Sequence, residues 1–169
     1  MQADVATRKE WTDALLPRVK QIVANYLIAE APFEQDARQA TDLIVLTLNA
    51  VRIAVRLRHF KYLSQYGEQF TIRATIPSGR ETELGKIISG WGDYFFYGFE
   101  DPHNPFGLSA WLFGDLRIFR LWHNRQLAMG LKPWIEKQNG DPASDSGFHA
   151  YRISDLPDQF VIGRYPKVG

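Results

Sequence analysis

An alternating segment between positions 52 and 58 most constrains what this chain can fold into. It reads RIAVRLR, and successive side chains of a β-strand point to opposite faces. One face of this strand would be apolar, while the other would carry three arginines and no acid. The apolar face holds Ile53, Val55 and Leu57, and the other holds Arg52, Ala54, Arg56 and Arg58. A solvent-facing strand normally shows polar residues of mixed sign, so this basic face indicates a functional surface.

The basic character continues beyond the strand and has two interpretations. Five cations fall within 22 residues with Glu68 as the only acid among them: Arg52, Arg56, Arg58, Lys61 and Arg73. In the first interpretation, Arg52, Arg56, Arg58 and Arg73 bind phosphates, and Tyr62, with Tyr66, stacks on bases. In the second, the arginines pair with carboxylates and hold the sheet together. The candidate partners are Asp36, Asp42, Glu83 and Asp93.

Composition narrows the class of protein. The chain has 169 residues, 45% of them apolar, which is typical of one folded domain. The absence of cysteine excludes disulfides, thiol catalysis and thiolate metal sites. A formal net charge of +1 argues against coating nucleic acid by bulk charge. Neither a signal peptide nor an apolar run of about 18 residues is present, which predicts a cytoplasmic protein without a membrane span.

Hydrophobic periodicity predicts the order of elements in the first hundred residues. Residues 1–11 should be loose, and a helix should follow from about Pro17 to Glu30. The predicted elements after it are strands 42–48, 51–58 and 70–76, a helix at 81–89 and a strand at 93–99. The three apolar strands have short connections, so we expect them to be neighbours in one sheet.

The remainder of the chain, 101–169, is predicted to be a helical and β extension of the same domain. A helix is favoured at 109–122, although its short apolar run is also compatible with a strand. A weaker helical stretch covers 125–137, residues 139–147 form a loop, and 148–153 alternates as a strand. The predicted fold class is therefore a single α/β domain with a mixed central sheet flanked by helices.

The order helix, strand, strand, strand, helix, strand over residues 1–100 resembles the core of the PD-(D/E)XK superfamily, the restriction-endonuclease-like nucleases. In that family an acid on one strand and a Glu-x-Lys on the next bind Mg²⁺ and activate water. Asp42 stands where the family's Asp would be, and Ala54-Val55-Arg56 occupies the place of Glu-x-Lys. The alanine removes a carboxylate ligand, and arginine stays protonated, so it is a poor base.

The resemblance implies a site that has moved or lost its chemistry. Some members carry a catalytic residue on the helix after the third strand, where Glu83 and Lys86 stand in this chain. The implied catalytic residues are then Asp42, Glu83 and Lys86, with Asp42 and Glu83 as Mg²⁺ ligands. Hydrolysis stays open, because Asp42 also suits a turn or an ion pair and Glu83 suits the first turn of its own helix.

The rival hypothesis is a non-catalytic interaction protein of phage or mobile-element type. Aromatic residues crowd the runs WGDYFFYGF and WLFGDLRIFRLW, which we assign to the core or to an oligomer interface such as a homodimer face. In this hypothesis the aromatic C-terminal half would bind a protein partner. The four histidines show no zinc-ligand spacing, and the sequence has neither a nucleophile elbow nor a glycine-rich phosphate loop.

Overall fold

The computed structural model describes residues 2–30, 43–45, 51–76, 78–138 and 146–166. These residues form a mixed α/β fold. The helices are α1 (Gln2–Leu27), α2 (Leu63–Tyr66), α3 (Glu83–Ile88) and α4 (Leu116–Ala128). The strands are β1 (Ile28–Glu30), β2 (Leu43–Val45), β3 (Ile53–Arg58), β4 (Gln69–Thr75), β5 (Tyr94–Asp101), β6 (Asn104–Asp115), β7 (Ile135–Gln138), β8 (Gly147–Arg152) and β9 (Val161–Tyr165).

The strands are arranged in two main sheets and a small pair. The four-stranded sheet has the order β3-β5-β6-β9, with β3 parallel to β5 and the other pairings antiparallel. The three-stranded sheet has the antiparallel order β4-β8-β7. Strands β1 and β2 pair with each other. Strands β6, β8 and β9 come from the C-terminal part of the chain, which therefore contributes to both main sheets.

Two cores lie on opposite faces of the four-stranded sheet. The larger core forms where the two main sheets, α3 and α4 meet, and it centres on the fully buried rings of Phe70, Phe95 and Phe119. The smaller core lies between α1 and the other face of the four-stranded sheet, where Val19 and Ile22 meet Phe96 and Phe113. The N-terminal helix therefore packs on the sheet that contains β3.

The alternation predicted for β3 is confirmed by its contacts. Ile53, Val55 and Leu57 pack in the smaller core under α1, and Ala54 packs in the larger core. Arg56 and Arg58 extend from that same face towards β4.

The predicted single sheet of strands 42–48, 51–58 and 70–76 is wrong in the described residues. β3 pairs with β5, β4 pairs with β8, and the described part of the first strand pairs with β1. The connection from His59 to Glu68 contains a 3₁₀ turn and α2, and carries the chain from one main sheet to the other. Apolar continuity and a short connection did not specify the partner strand, because pairing is decided by long-range contacts.

The helix predicted at 109–122 is also wrong in its first half, since β6 extends to Asp115 and only then does α4 begin. Asp115 is the N-cap of α4, and its carboxylate accepts from the backbone N–H of Arg117 at 2.8 Å. Likewise, the helical stretch predicted at 125–137 ends at Ala128, and Ile135–Gln138 is a strand. The strands predicted at 93–99 and 148–153 and the helix at 81–89 are confirmed.

The N-terminal segment predicted to be loose is helical from Gln2, and Pro17 lies inside α1 rather than at its start. Tertiary contacts explain the longer helix. The Trp11 indole Nε1 donates to the Glu100 carboxylate at 2.7 Å, and the Trp11 ring lies 4.4 Å from that of His59. Leu15 is fully buried. Among the described helices, none has both the length and the apolar character needed to cross a bilayer.

Candidate nucleic-acid interface

A groove of about 870 Å³ follows β3, with α1 on one side and α3, β4 and β8 on the other. We call it the arginine groove. Among the residues that the structure describes, six basic side chains and two carboxylates line it: Arg8, Arg52, Arg56, Arg58, Arg73 and Lys86, with Glu81 and Glu83. The chain as a whole is nearly neutral, so the groove concentrates positive charge locally.

Arg56 is held at the floor of the groove. Its Nη1 donates to Glu83 Oε2 at 2.6 Å and to the Thr71 carbonyl oxygen at 3.1 Å. The Arg56 side chain is only 17% exposed. Burial lowers the pKa of this guanidinium, Glu83 opposes that effect, and the neighbouring Arg58 adds to it. The partnership with Glu83 confirms the pairing interpretation for Arg56.

Arg58 lies two residues further along β3 and is held by neutral groups. Its Nη2 donates to the Thr71 hydroxyl at 2.5 Å, and its Nε donates to the Tyr97 hydroxyl at 3.2 Å. The rings of Tyr62 and Tyr66 lie 5.8 and 5.9 Å from its guanidinium carbon. No carboxylate among the described residues pairs with Arg58, so its full charge faces the groove.

Phe148 is the centre of the basic cluster. The guanidinium carbons of Arg56, Arg58 and Arg73 lie 5.0, 5.9 and 5.7 Å from its ring centroid. Strand register explains part of this arrangement, because Arg73 on β4 is paired directly with Phe148 on β8. We call Arg56, Arg58 and Arg73 the arginine cluster. Glu83 is the one carboxylate bonded to it within the described part of the chain.

Glu83 is positioned by the start of α3. Thr82 caps this helix, its hydroxyl accepting from the Gly85 backbone N–H at 3.0 Å. The following residue, Glu83, turns its carboxylate towards β4, where Oε2 accepts from the backbone N–H of Arg73 at 3.1 Å as well as from Arg56. Lys86 lies nearly one helical turn later, is exposed and lines the groove.

The described residues contain no larger cluster of metal-ligating side chains. None of their Asp, Glu and His side chains form a group of three that would hold a cation. Glu83 Oε2 already accepts two hydrogen bonds. Asp42, the other predicted Mg²⁺ ligand, lies outside the described residues. The predicted catalytic set of Asp42, Glu83 and Lys86 is therefore described only for its last two members, which share α3.

Arg52 lies at the other end of the groove and is paired. Its backbone N–H donates to Asp93 Oδ2 at 2.8 Å, and its Nε lies 3.5 Å from the same oxygen. The backbone hydrogen bond is the main reason that the pKa of Asp93 is lowered. The Trp91 ring lies 5.5 Å from the Arg52 guanidinium carbon. The pairing predicted with Asp93 is confirmed for Arg52.

Sequence reasoning found the arginines but missed the groups that position them. Phe148 was assigned only to a strand, and Thr71 and Tyr97 were not singled out at all. Each comes from a strand other than β3, so no local pattern marks its proximity to the arginines. The alternation on β3 was the one local signal, because it placed Arg56 and Arg58 on a common face.

A second cluster of polar atoms lies outside the groove, between α4 and the three-stranded sheet. The Trp134 ring is stacked between His123 and His149, at centroid distances of 5.5 and 4.3 Å. Burial lowers the pKa of His149 to about 4, with Glu136 opposing the shift. Burial also lowers the pKa of His123.

Searches of protein-family models, curated proteins and solved structures find no match to this chain. The function is therefore argued from the chemistry of the groove itself.

Proposed function

We propose that the arginine groove binds the phosphate backbone of nucleic acid. The observation that carries this proposal is the arginine cluster around Phe148, where three guanidinium groups face one bonded carboxylate. Like charges this close repel one another, and a bound anion relieves that repulsion. Guanidinium groups also match phosphate oxygens in geometry, because two N–H groups of one arginine can donate in parallel.

The extent of the groove favours a polymer over a small anion. From Arg52 to Arg58 the chain spans roughly 20 Å of extended strand. Basic side chains lie at both ends and in the middle of this distance, and Lys86 adds another from α3. A single phosphate would reach only part of this set, whereas a nucleic-acid backbone presents phosphates at regular intervals along the groove.

Binding should be tested by fluorescence anisotropy with a labelled oligonucleotide of about 20 nucleotides at several salt concentrations. The informative variants are Arg58→Gln and Arg73→Gln. The glutamine amide at position 58 reaches only as far as Arg58 Nε, so it keeps a donor for the Tyr97 hydroxyl, and circular dichroism checks that both variants are folded. We expect each variant to weaken binding and to reduce the salt slope by about one.

The matched control is Arg125→Gln, which removes the same charge from an exposed position in the last turn of α4, outside the groove lining. We expect this control to bind like the unaltered protein. Equal losses in all three variants would indicate bulk charge rather than the groove. Unchanged affinity in both groove variants would refute the proposal.

A hydrolytic form of the proposal needs a second carboxylate beside Glu83. The resemblance to PD-(D/E)XK nucleases suggests Asp42 for this place, with Lys86 as the basic group and Mg²⁺ as the cofactor. Support from the described residues is limited to Glu83 and Lys86 lining the same groove as the arginine cluster. The test is a cleavage assay on single- and double-stranded substrates with Mg²⁺ or Mn²⁺. Activity that is lost in both Asp42→Ala and Glu83→Ala would support the hydrolytic form. Circular dichroism should check that each variant is folded.

The rival proposal of an aromatic partner surface in the C-terminal half receives less support. Most rings of the two aromatic runs are in the cores, among them Phe95, Phe96, Tyr97, Phe113 and Phe119. Trp91, at the start of the first run, is the exception and is 60% exposed. The exposed apolar side chains of α4 and the turn after it are aliphatic instead, namely Leu121, Leu127, Met129 and Leu131.

A further inference from the structure

Aromatic rings accompany the arginines of β3 and the arginine that directly precedes it. Trp91 lies beside Arg52, Phe148 beside Arg56 and Tyr62 beside Arg58, at ring-to-guanidinium distances of 5.5, 5.0 and 5.8 Å. All three rings line the arginine groove. Trp91 is 60% exposed, so much of this large ring is accessible to another planar group. Positive charge and aromatic surface therefore alternate along a single path.

The spacing of this path suits an extended polymer. Every second residue of a strand lies about 6.6 Å further along it. Neighbouring phosphates of a stretched single strand are separated by a similar distance. Arg56 and Arg58 occupy one face of β3 one such step apart, and Arg52, directly before the strand, continues the same two-residue alternation. The groove thus presents cations at a spacing that matches the phosphates of one extended strand.

The depth of the site disfavours a double helix. Arg56 is largely buried at the groove floor, with α1 on one side and α3 on the other. Duplex phosphates lie on the outside of a wide cylinder, and the faces of its bases are hidden in the stack. A single strand is narrow enough to enter, and its unstacked bases can lie on Trp91 and Tyr62.

We infer that the ligand of the groove is single-stranded nucleic acid in an extended conformation, covering about four nucleotides. This inference rests on the proposed function and adds the class of nucleic acid. The arginine cluster, centred on Phe148, holds the phosphates, while Trp91 and Tyr62 supply the surfaces on which bases stack.

The test compares one labelled oligonucleotide of mixed sequence, about 20 nucleotides long, as a single strand and annealed to its complement. Affinity is measured by anisotropy at equal salt for the unaltered protein, Trp91→Ala and Tyr62→Leu. Phe106→Ala is the matched control, because Phe106 is 64% exposed but does not line the groove. Circular dichroism confirms that each variant is folded.

We expect the unaltered protein to bind the single strand at least tenfold more tightly than the duplex. Trp91→Ala and Tyr62→Leu should each weaken single-strand binding by about fivefold or more and change duplex binding little. Phe106→Ala should change neither.

Two results would overturn the inference while leaving the proposed function in place. One is duplex binding as tight as single-strand binding, lost in Arg73→Gln. The other is single-strand affinity within twofold of the unaltered value in both Trp91→Ala and Tyr62→Leu. Binding to neither form at low salt would overturn the inference and the proposed function together.

Discussion

Arg56 and Glu83 are joined by a hydrogen bond of 2.6 Å between Nη1 and Oε2. The same carboxylate oxygen accepts the backbone N–H of Arg73, so one side chain of α3 connects β3 with β4. Both side chains are partly shielded from water, with exposed fractions of 17% and 32%. The pair therefore fixes the geometry of the groove and also reduces its net charge.

Changing Glu83 to Gln should separate these two roles. The neutral amide keeps the shape of the side chain but removes the carboxylate from beside the arginine cluster. We expect the free energy of unfolding to fall by about 1–2 kcal/mol, because the ion pair with Arg56 becomes a hydrogen bond to a neutral amide oxygen. We also expect tighter oligonucleotide binding with a steeper salt dependence. Urea unfolding and anisotropy measure the two effects, and weaker binding in the folded variant would contradict the electrostatic argument.

The stack of His123, Trp134 and His149 predicts a dependence of stability on pH. The pKa of His149 is about 4 in the folded protein, compared with an ordinary value of 6.5. Below pH 6.5 the unfolded chain takes up a proton at this position that the folded protein does not. Stability should therefore fall as pH decreases from 6.5 towards 4, by about 1.5 kcal/mol at pH 5 after allowance for the partial exposure of the ring.

Urea unfolding between pH 7 and pH 5 measures this loss, and His149→Phe supplies the comparison. The neighbouring charged groups are Glu136, paired with His149 across the strands, and Lys132, which adds to the lowering of its pKa. The phenylalanine ring keeps the stacking surface without the titration, so its stability should vary less over the same interval. Equal pH dependence in the two proteins would assign the effect to other groups.

A close approach in the larger core predicts that Gly114 tolerates no side chain. A Cβ atom at this position would lie 2.6 Å from Cζ of the buried Phe160 ring. We expect Gly114→Ala to lower the free energy of unfolding by about 1–3 kcal/mol through overpacking. The double variant with Phe160→Leu should cost less than the sum of the two single changes, because the smaller side chain leaves room for the methyl group. Strict additivity would show that the two positions do not interact.

The hydrogen bonds of Glu100 attach α1 to the rest of the fold at the end of the groove. Its carboxylate accepts from Trp11 Nε1 at 2.7 Å and from the Phe60 backbone N–H at 3.1 Å, and it lies 2.9 Å from His59 Nδ1. Burial opposes ionisation, yet these hydrogen bonds keep the pKa of Glu100 below its ordinary value. The associated stability is present above pH 4.5 and is lost as pH falls below it.

Replacing Glu100 with Gln should remove about 1–2 kcal/mol of stability at neutral pH. Hydrogen exchange should accelerate first in the N-terminal half of α1, which contains Trp11. Glu10→Gln is the control, since Glu10 is an exposed residue of the same helix. A loss spread evenly over the whole protein would argue against a local attachment.

The sequence predicted correctly those structural features that depend on a single element. The alternation of β3 depends only on the chain between Arg52 and Arg58, and it predicted correctly that Ile53, Val55 and Leu57 share an apolar face opposite Arg56 and Arg58. The segment from Trp111 to Phe113 was harder to interpret. Leu112 faces the larger core, while Trp111 and Phe113 face the smaller one, so the strand is apolar on both sides and lacks the polar alternation that identifies most strands.

The candidate site could be predicted only in part for a similar reason. Arg56 and Arg58 share one face of β3, but their environment comes from β4, β5, β8 and α3, which are distant in sequence. Whether an arginine pairs with an acid depends on that environment. Arg52 and Arg56 found carboxylate partners, whereas Arg58 found two hydroxyl groups, and nothing in the local sequence distinguishes these outcomes.

The two oxygens of Thr71 have a consequence for any ligand of the groove. Its carbonyl oxygen accepts from Arg56 and its hydroxyl from Arg58, so both long side chains are already fixed in one orientation before a ligand arrives. A free arginine carries about 2 kcal/mol of rotamer entropy, which a ligand would otherwise have to overcome on binding. In this protein the arginines lose that freedom when the two sheets come together during folding. Each guanidinium group has five N–H donors, and those not used by Thr71, Glu83 or Tyr97 remain available in a preset direction.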